Sequence, residues 1–347
     1  MTREEILLRR MAGQYLSAPA DMRTAARGLC GVQAQYLSNA LHALAIRSTD
    51  FSESAAREQL VKSWTLRGTA HVFDPDDLPL FLTCGENCRR NVWDAPSFWN
   101  RREGWTLTPD RQAELTEVIV RALDSGPHTR EALKLLCRAH GMTEAEEAAM
   151  FDPWGGGLRE ACERGFAVYA VCVEKTLLPC PRFAPMAQDA AAVELARRYF
   201  THYGPATIHD AMYFFRAPAR EVRRWLEQLP VQAAECGGRT YFYMDAPEIP
   251  ASPAPDCVFL AGFDPFLLGY EKKESLILPP EHLRRVFSLA GIVFPTVLLH
   301  GRICAVWKRK GCSLTVTPFE ALSDCQISEI RRAAEARFPD CAVRFAG

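Results

Sequence analysis

The sequence lacks several features that would place it in a class at once. No stretch approaches the roughly 18 consecutive apolar residues that a membrane-spanning helix needs. The opening run, Met1 to Leu16, carries Arg3, Glu4, Glu5, Arg9 and Arg10, unlike the apolar core of a secretory signal. A cytoplasmic protein with no membrane association is expected. The 13 cysteines are odd in number and contain no Cys-x-x-Cys pair. The closest two, Cys84 and Cys88, have no histidine or second cysteine pair nearby at zinc spacing. In a reducing compartment such thiols act as small hydrophobic residues, so no metal site is expected. The stretch "PWGGG" (153–157) has no Lys-Ser/Thr and follows no clear strand. It is a turn and not a phosphate loop, and nothing in the chain calls for a cofactor. A charge excess is missing too: 41 basic and 42 acidic residues leave a formal net charge of −1. The strongly basic total of a non-specific nucleic-acid binder is absent.

What is present is a soluble, globular composition, 48% hydrophobic and 24% charged. A chain of 347 residues exceeds one ordinary core and implies several domains. Its charge is unevenly spread. Residues 271–310 hold eight Lys and Arg against three Glu, whereas residues 140–175 hold seven acidic against three basic residues. A neutral total therefore conceals a one-sided field.

A module repeats. "ELTEVIVRALDSGPHTREALKLL" (114–136) and "VELARRYFTHYGPATIHDAMYFF" (193–215) each run from helix through Gly-Pro to a second helix. Gly126-Pro127-His128-Thr129 aligns with Gly204-Pro205-Ala206-Thr207 at an offset of 78 residues. Gly ends one helix, Pro prevents its continuation, and Thr is placed to cap the next. A third helix follows in each copy, near 154–164 and 217–229, and then a two-stranded ribbon. Gly237-Gly238 suits the turn of the second ribbon. This is the winged-helix form of helix-turn-helix, and residues 1–105 read as a degenerate further copy. Helices fit 3–16, 21–31, 37–47 and 53–61, and "WTLRGTAHVF" (64–73) reads as strand. "PASPAPD" (250–256) is a linker by composition. Beyond it, "CVFLAGF", "IVFPTVLLHGRICAVWKRK" and "CSLTVTPF" read as strands, with a turn at His300-Gly301, and "SDCQISEIRRAAEARF" as a helix.

Two neutral carboxamides interrupt the small, apolar run "GLCGVQAQYLSNALHALAIRS" (28–48). Gln33 and Gln35 are costly to bury unless their donors and acceptors are paired. One use is structural, tying a loop to backbone groups. Their spacing puts them on one side only in an extended or turn segment, because a helix would separate them by about 200°. With Gly31 as a helix stop, residues 32–36 fall at the irregular end of a helix. Elsewhere, Arg67 in "RGTAH" suits either a carboxylate or a DNA phosphate. His71 reads as a satisfied core group and His128 as a solvent-facing neighbour of a cap. "WKRKG" (307–311) suits a solvated edge strand blocked by lysine or a basic hairpin against phosphates. Asp264 in "FDP" is placed to cap a helix.

"GVQAQY", "WTLRGTAHVF", "YGPATIHDAMYFF", "LAGFDPFLLGY" and "VLLHGRICAVWKRK" occur in this order in the AlkZ/YcaQ-like winged-helix DNA-binding proteins. The sequence resembles that family over nearly its whole length. The resemblance implies an α+β fold of tandem winged helices around a concave DNA channel, with a small C-terminal α+β domain. The divisions expected are 1–105, 106–186, 187–250 and 251–347. It also implies a monofunctional DNA glycosylase that removes bulky or crosslinked N7-alkylated purines from double-stranded DNA and leaves an abasic site. The family's catalytic motif is Gln, an aliphatic residue, then Gln, with Asp last in one branch. Gln33-Ala34-Gln35 stands at that motif, which makes Gln33 and Gln35 the catalytic candidates. Gln35 aligns the chain with the crosslink-unhooking branch. Arg67, Arg302, Lys308, Arg309 and Lys310 are the candidates for DNA contact, and a monomer is expected.

Two amides suit this chemistry. An N7-alkylpurine is already a cation, so its glycosidic bond is weak and the base departs neutral. Little acid catalysis is needed; a positioned water and stabilisation of the charge building on the sugar suffice. Two rival expectations use the same fold. One is a non-enzymatic winged-helix DNA-binding protein or transcription regulator; the other is a protein-interaction scaffold.

Overall fold

A computed structural model of the chain describes residues 1–82, 105–153, 156–245 and 253–346. Cys84 and Cys88, two residues of "PWGGG" and the first three of the 250–256 linker lie outside the described residues. Helices and strands are mixed throughout, and packing separates two units. One joins Met1–Ser52 to Ala196–Gly347, and the other is Glu53–Leu195. Among the described residues, no helix is long and apolar enough to cross a membrane.

The first unit begins with two capped helices. Thr2 and Glu5 form a reciprocal capping box at the start of Arg3–Gly13. Asp21 caps Met22–Gly28 by accepting from the Thr24 amide at 2.9 Å. The second helix stops at Gly28, earlier than periodicity suggests, because Cys30 and Gly31 both turn left-handed, with φ of 55° and 77°. Val32–Gln33 is extended, and the Leu37–Ala45 helix follows.

The C-terminal part of this unit is a five-stranded sheet. Its order is Ala342–Phe345, Ser313–Pro318, Arg302–Lys310, Thr296–Leu299, Cys257–Leu260. Only the pairing of Ala342–Phe345 with Ser313–Pro318 is parallel. The turn falls at His300-Gly301, with φ of 47° and 74°, the mirror-image geometry that suits a two-residue hairpin. One sheet face buries Phe259, Val297, Ala305 and Leu314 against Ile330, Ala334 and Phe338. The last three come from the Asp324–Arg337 helix and its C-cap, and Ser323 caps that helix at its start. The other face packs Leu298 and Ile303 with Phe263, Phe266, Val286, and with Met11 and Leu16 from the far N-terminus.

Buried polar side chains tie these segments together. Arg47 and Asp264 are fully buried and joined at 2.6 and 3.1 Å. Arg47 also donates to the Gln14 and Ala43 carbonyls. Asp264 also accepts from the Ala261 and Phe266 amides; it is the helix cap that its position suggests, and an ion-pair partner besides. A second buried pair, Arg10 with Asp210, lies beside Tyr270, with the Arg10 guanidinium 3.7 Å from the ring centroid. Gln14 donates to the Tyr270 hydroxyl, which donates to the Tyr203 carbonyl, and the Tyr203 hydroxyl donates to the Leu29 carbonyl.

The repeat is visible in the local structure of both copies. Thr129 caps Arg130–Ala139 and Thr207 caps Ile208–Phe215, each accepting from the amide three residues on. The aligned positions His128 and Ala206 each make an antiparallel bridge, to Leu177 and to Phe242, although the partners do not keep the 78-residue offset. The first copy inserts an extra helix, Glu144–Met150, before Gly156–Arg164. The second goes directly to Ala219–Leu226 and its ribbon, Gln232–Cys236 with Arg239–Tyr243.

Within the second unit, "WTLRGTAHVF" departs from a single strand. Val61–Trp64 and Ala70–Phe73 pair antiparallel, and Arg67 (φ 59°) and Gly68 (φ 65°) sit in the turn between them. The alternating pattern hid the turn, because both arms present the same apolar and polar rhythm. The strands of this unit run in the order Ala70–Phe73, Val61–Trp64, Ala167–Tyr169, Thr176–Pro179, His128–Thr129.

Removing one member of a buried ion pair leaves a charge without compensation. Asp264→Ala should therefore lower unfolding free energy by about 3–5 kcal/mol, measured as a shift in denaturant midpoint. A loss below about 1 kcal/mol, the range of exposed pairs, would show that the pair does not hold this unit together.

Candidate active site

The glutamine segment is held at both ends. Before it stands the left-handed stop at Cys30-Gly31. After it, Tyr36 precedes the Leu37–Ala45 helix and stacks on Phe263, with ring centroids 5.8 Å apart and planes at 29°. Gln33 is 9% exposed and Ala34 6%, whereas Gln35 is exposed and Tyr36 is 49% exposed. The motif thus runs from the core to the surface within three residues.

Its neighbour is the loop of "LAGFDP". Phe263 has a φ of 57°, an unfavourable conformation for a bulky residue. The Asp264 cap and its bond to Arg47 hold that conformation in place. A side chain on Gly262 would meet Asn39 Nδ2 at 2.7 Å and the Val293 carbonyl at 3.0 Å. Only glycine lets this loop approach the start of the Leu37–Ala45 helix so closely.

One turn further along, His42 lies between three elements. Its Nε2 is 2.7 Å from the Phe259 carbonyl, and its ring stacks on Phe338 and tilts against Trp307. A carbonyl only accepts, so Nε2 carries the proton. Burial lowers the pKa of His42 to about 4, so it stays neutral near pH 7. Trp307 donates from Nε1 to the Leu260 carbonyl at 2.9 Å. Four of the five ordered motifs therefore meet in the first unit: the glutamine segment, "FDP", "VWKRK" and, through the Tyr203–Leu29 bond, "YGPATIHD". Tyr36, Asn39, Phe263 and Trp307 carry this meeting. Sequence reasoning missed them; Tyr36, Phe263 and Trp307 left a trace only as members of the ordered motifs, and Asn39 left none.

Lys308, Arg309 and Lys310 are exposed. Their strand is the third of five, not an edge, but pairing with Thr296–Leu299 ends at Val306 and only Ser313–Pro318 continues alongside them. Alternation splits the trio. Arg309 shares the face of Trp307 and lies 5.8 Å from the Phe338 ring centroid, while Lys308 and Lys310 take the opposite face. Arg302, also exposed, begins the same strand. At about 3.3 Å per residue it stands roughly 26 Å from Lys310, so the strand does not bring them together.

The remaining candidates lie in the second unit. Arg67 approaches His71 Nε2 at 3.1 Å, and His71 Nδ1 lies 3.0 Å from the Thr69 carbonyl. A guanidinium can only donate, so Nε2 accepts and the proton sits on Nδ1. Burial, reinforced by Arg67, lowers the pKa of His71 to about 3. His71 is 1% exposed and is the satisfied core group its setting suggests. His128 turns back to the Gly126 carbonyl at 2.9 Å. Among the described residues, Glu281, His282 and Glu320 bring possible metal-ligand atoms within 4.8 Å of one another; neither glutamine belongs to that group.

Comparison with known proteins identifies the family. The DNA glycosylase AlkZ-like family matches residues 26–338. An interstrand DNA cross-link repair glycosylase of Streptomyces sahachiroi is 31% identical over 327 residues, 88% of this chain and 87% of the relative. The solved structure of the Streptomyces sahachiroi DNA glycosylase AlkZ superimposes with a TM-score of 0.78 at 26% identity, over 100% of both chains. With the family matched from the helix before the glutamines to the aromatic beneath Arg309, the chain belongs to the AlkZ-like DNA glycosylases.

Proposed function

We propose that the protein hydrolyses the N-glycosidic bond of cationic N7-alkylated purines, bulky or crosslinked, in double-stranded DNA. Water is positioned by Gln33 and Gln35, and the product is an abasic site. The observation that carries this reading is the graded burial of the motif. Gln33 is 9% exposed and anchored in the core, while Gln35 is exposed beside the half-exposed Tyr36. One amide is fixed and the next reaches a surface that a nucleotide can approach. The name of the 31% identical relative, an interstrand cross-link repair glycosylase, supports crosslinks within the substrate range. The reading includes tandem winged helices around a DNA channel, action as a monomer in the cytoplasm, and phosphate contacts from Arg67, Arg302, Lys308, Arg309 and Lys310.

The chemistry follows from the amide group. Its oxygen accepts from a water while its NH₂ donates to a phosphate or sugar oxygen. Neither glutamine titrates near neutrality, so neither is a useful base. Undamaged purines, with an uncharged and poor leaving group, do not react under such weak assistance. Gln33→Ala and Gln35→Ala should each slow single-turnover excision of an N7-alkylguanine by about 10²- to 10³-fold and leave duplex affinity within about twofold, as expected for transition-state interactions. Wild-type rates in both variants would remove the glutamines from the mechanism.

The rate should be flat between about pH 6 and 8, because no proposed catalytic group titrates there. His42 and His71 act on the acid side. Both are held below the ordinary value of 6.5, His42 near 4 and His71 near 3. As pH falls below 6.5 the unfolded chain takes up protons that the folded chain refuses. The stability these groups contribute is complete above 6.5 and is lost progressively toward 4 and then 3. Activity loss at acid pH should therefore coincide with unfolding followed by circular dichroism. A steep rate limb between pH 6 and 8 in folded protein would identify a general base elsewhere.

Charge reversal at Lys308, Arg309 and Lys310 should flatten the salt dependence of duplex binding by ~1 to 3 units. An unchanged slope would exclude phosphate contact there.

A further inference from the structure

Among the described residues, seven large apolar side chains stand exposed, and three of them, Tyr36, Leu289 and Phe294, belong to segments that meet one loop. That loop is Gly262-Phe263. Phe263 carries the Tyr36 ring. Asn39 Nδ2 and the Val293 carbonyl oxygen both lie within 3.0 Å of the point where a Gly262 side chain would begin. The segment 287–294 is therefore packed beside the one that carries the glutamines. At its C-terminal end, the Trp307 amide donates to the Pro295 carbonyl at 3.0 Å. The segment thus leaves the sheet just where Lys308, Arg309 and Lys310 begin.

Residues 287–293 form a short, tied turn. Phe287 bridges Val293 antiparallel. The Ser288 amide donates to the Ile292 carbonyl, and the Ile292 amide to the Ser288 hydroxyl, both at 2.9 Å. Gly291 turns left-handed, with φ of 78°, and donates to the Ser288 carbonyl at 3.2 Å. The apex is Leu289-Ala290-Gly291, and Leu289 is 87% exposed. A single exposed leucine is ordinary on a protein surface. This one is held by backbone bonds at a narrow apex beside two small residues, and its surroundings are cationic. No Asp or Glu occurs between Glu281 and Glu320, a stretch that holds Arg284, Arg285, Arg302, Lys308, Arg309 and Lys310. Arg284 is exposed shortly before the turn, and Lys272 Nζ lies 5.7 Å from the Phe287 ring centroid. An apolar point in a cationic field fits a partner that is anionic outside and apolar and stacked within, as duplex DNA is. A second copy of this chain would set like charge against like charge.

We propose that Leu289 is a wedge that enters the DNA base stack beside the lesion. This rests on the DNA-directed reading above and adds a residue to it, one that acts on the shape of the DNA and not on the bond that breaks. Apolar side chains inserted between base steps unstack them and kink the duplex. Insertion is least costly where a base is damaged or missing. A purine too bulky or too firmly crosslinked to swing out of the helix is still exposed at its glycosidic bond by such a kink. The tied turn suits the task, because a preorganised tip loses little freedom on entering the stack.

The test uses the full chain, the variants Leu289→Ala and Leu289→Met, and a duplex carrying a tetrahydrofuran abasic-site analogue with 2-aminopurine beside it. Both variants should melt at the wild-type temperature, because the side chain is exposed. A drop of several degrees would mark a structural leucine and overturn the proposal. Wild type should bind the tetrahydrofuran duplex more tightly than intact duplex and raise the 2-aminopurine fluorescence. Leu289→Ala should lose about tenfold of that preference and leave the fluorescence near that of free DNA. Leu289→Met keeps a long apolar side chain and should restore both. Equal preference and equal fluorescence in wild type and Leu289→Ala would overturn the wedge, as would a wild type that binds the two duplexes alike. A dimer in sedimentation that Leu289→Ala abolishes would assign the tip to contact between copies and overturn it too. The tetrahydrofuran site has no base to release, so failure of the glutamine mechanism would leave this test intact.

Discussion

The buried ion pair between Arg47 and Asp264 is the constraint on which the candidate site depends. Two opposite charges out of contact with water remain folded only where each is fully partnered. Here Arg47 reaches Gln14 and Ala43 as well as Asp264, and Asp264 holds the turn that begins the short helix after Phe263. That turn fixes Phe263 in its left-handed conformation. Phe263 supports Tyr36, and Tyr36 adjoins the glutamines. An interaction with no direct part in chemistry thereby sets the position of the residues proposed to perform it.

The proposed reaction needs no base of altered pKa at the motif. Many hydrolytic sites adjust a carboxylate or histidine toward neutrality by burial or by a neighbouring charge. His42 and His71 are displaced the other way, below 6.5, and each keeps a ring N–H on a backbone carbonyl. Their contribution is to geometry. In the proposed reaction the reactivity comes from the cationic lesion, and the protein contributes placement.

Local features of the fold were legible in the sequence, and long-range ones were not. The Thr caps, the Gly-Pro breaks, the hairpin turns at His300-Gly301 and Gly237-Gly238, and the capped Asp324–Arg337 helix all follow from residues close together in the chain. The Arg47–Asp264 pair spans 217 positions, and an isolated Arg or Asp carries no sign of its partner. The glycine at position 262 was visible, but its reason, the approach of Asn39 and Val293, was not. The turn inside "WTLRGTAHVF" was concealed by alternation that continues through it. The basic run 308–310 was read as a block because composition ignores the pleat, which sends Arg309 to one face and its neighbours to the other. The glutamine motif was legible through its resemblance to a family, and its graded burial only through the structure.

The unit that carries the glutamines is assembled from the two ends of the chain, Met1–Ser52 and Ala196–Gly347. Its contacts have large sequence separation, so its loop-closure cost is high and its formation slow. The intervening Glu53–Leu195 segment is continuous and can acquire its core while synthesis is still under way. Residues 1–52 are synthesised before the rest of their unit and cannot bury Met11 and Leu16 in its core until the sheet that follows has been made. Chains interrupted before this sheet is made therefore lack the packed surroundings of the glutamine segment.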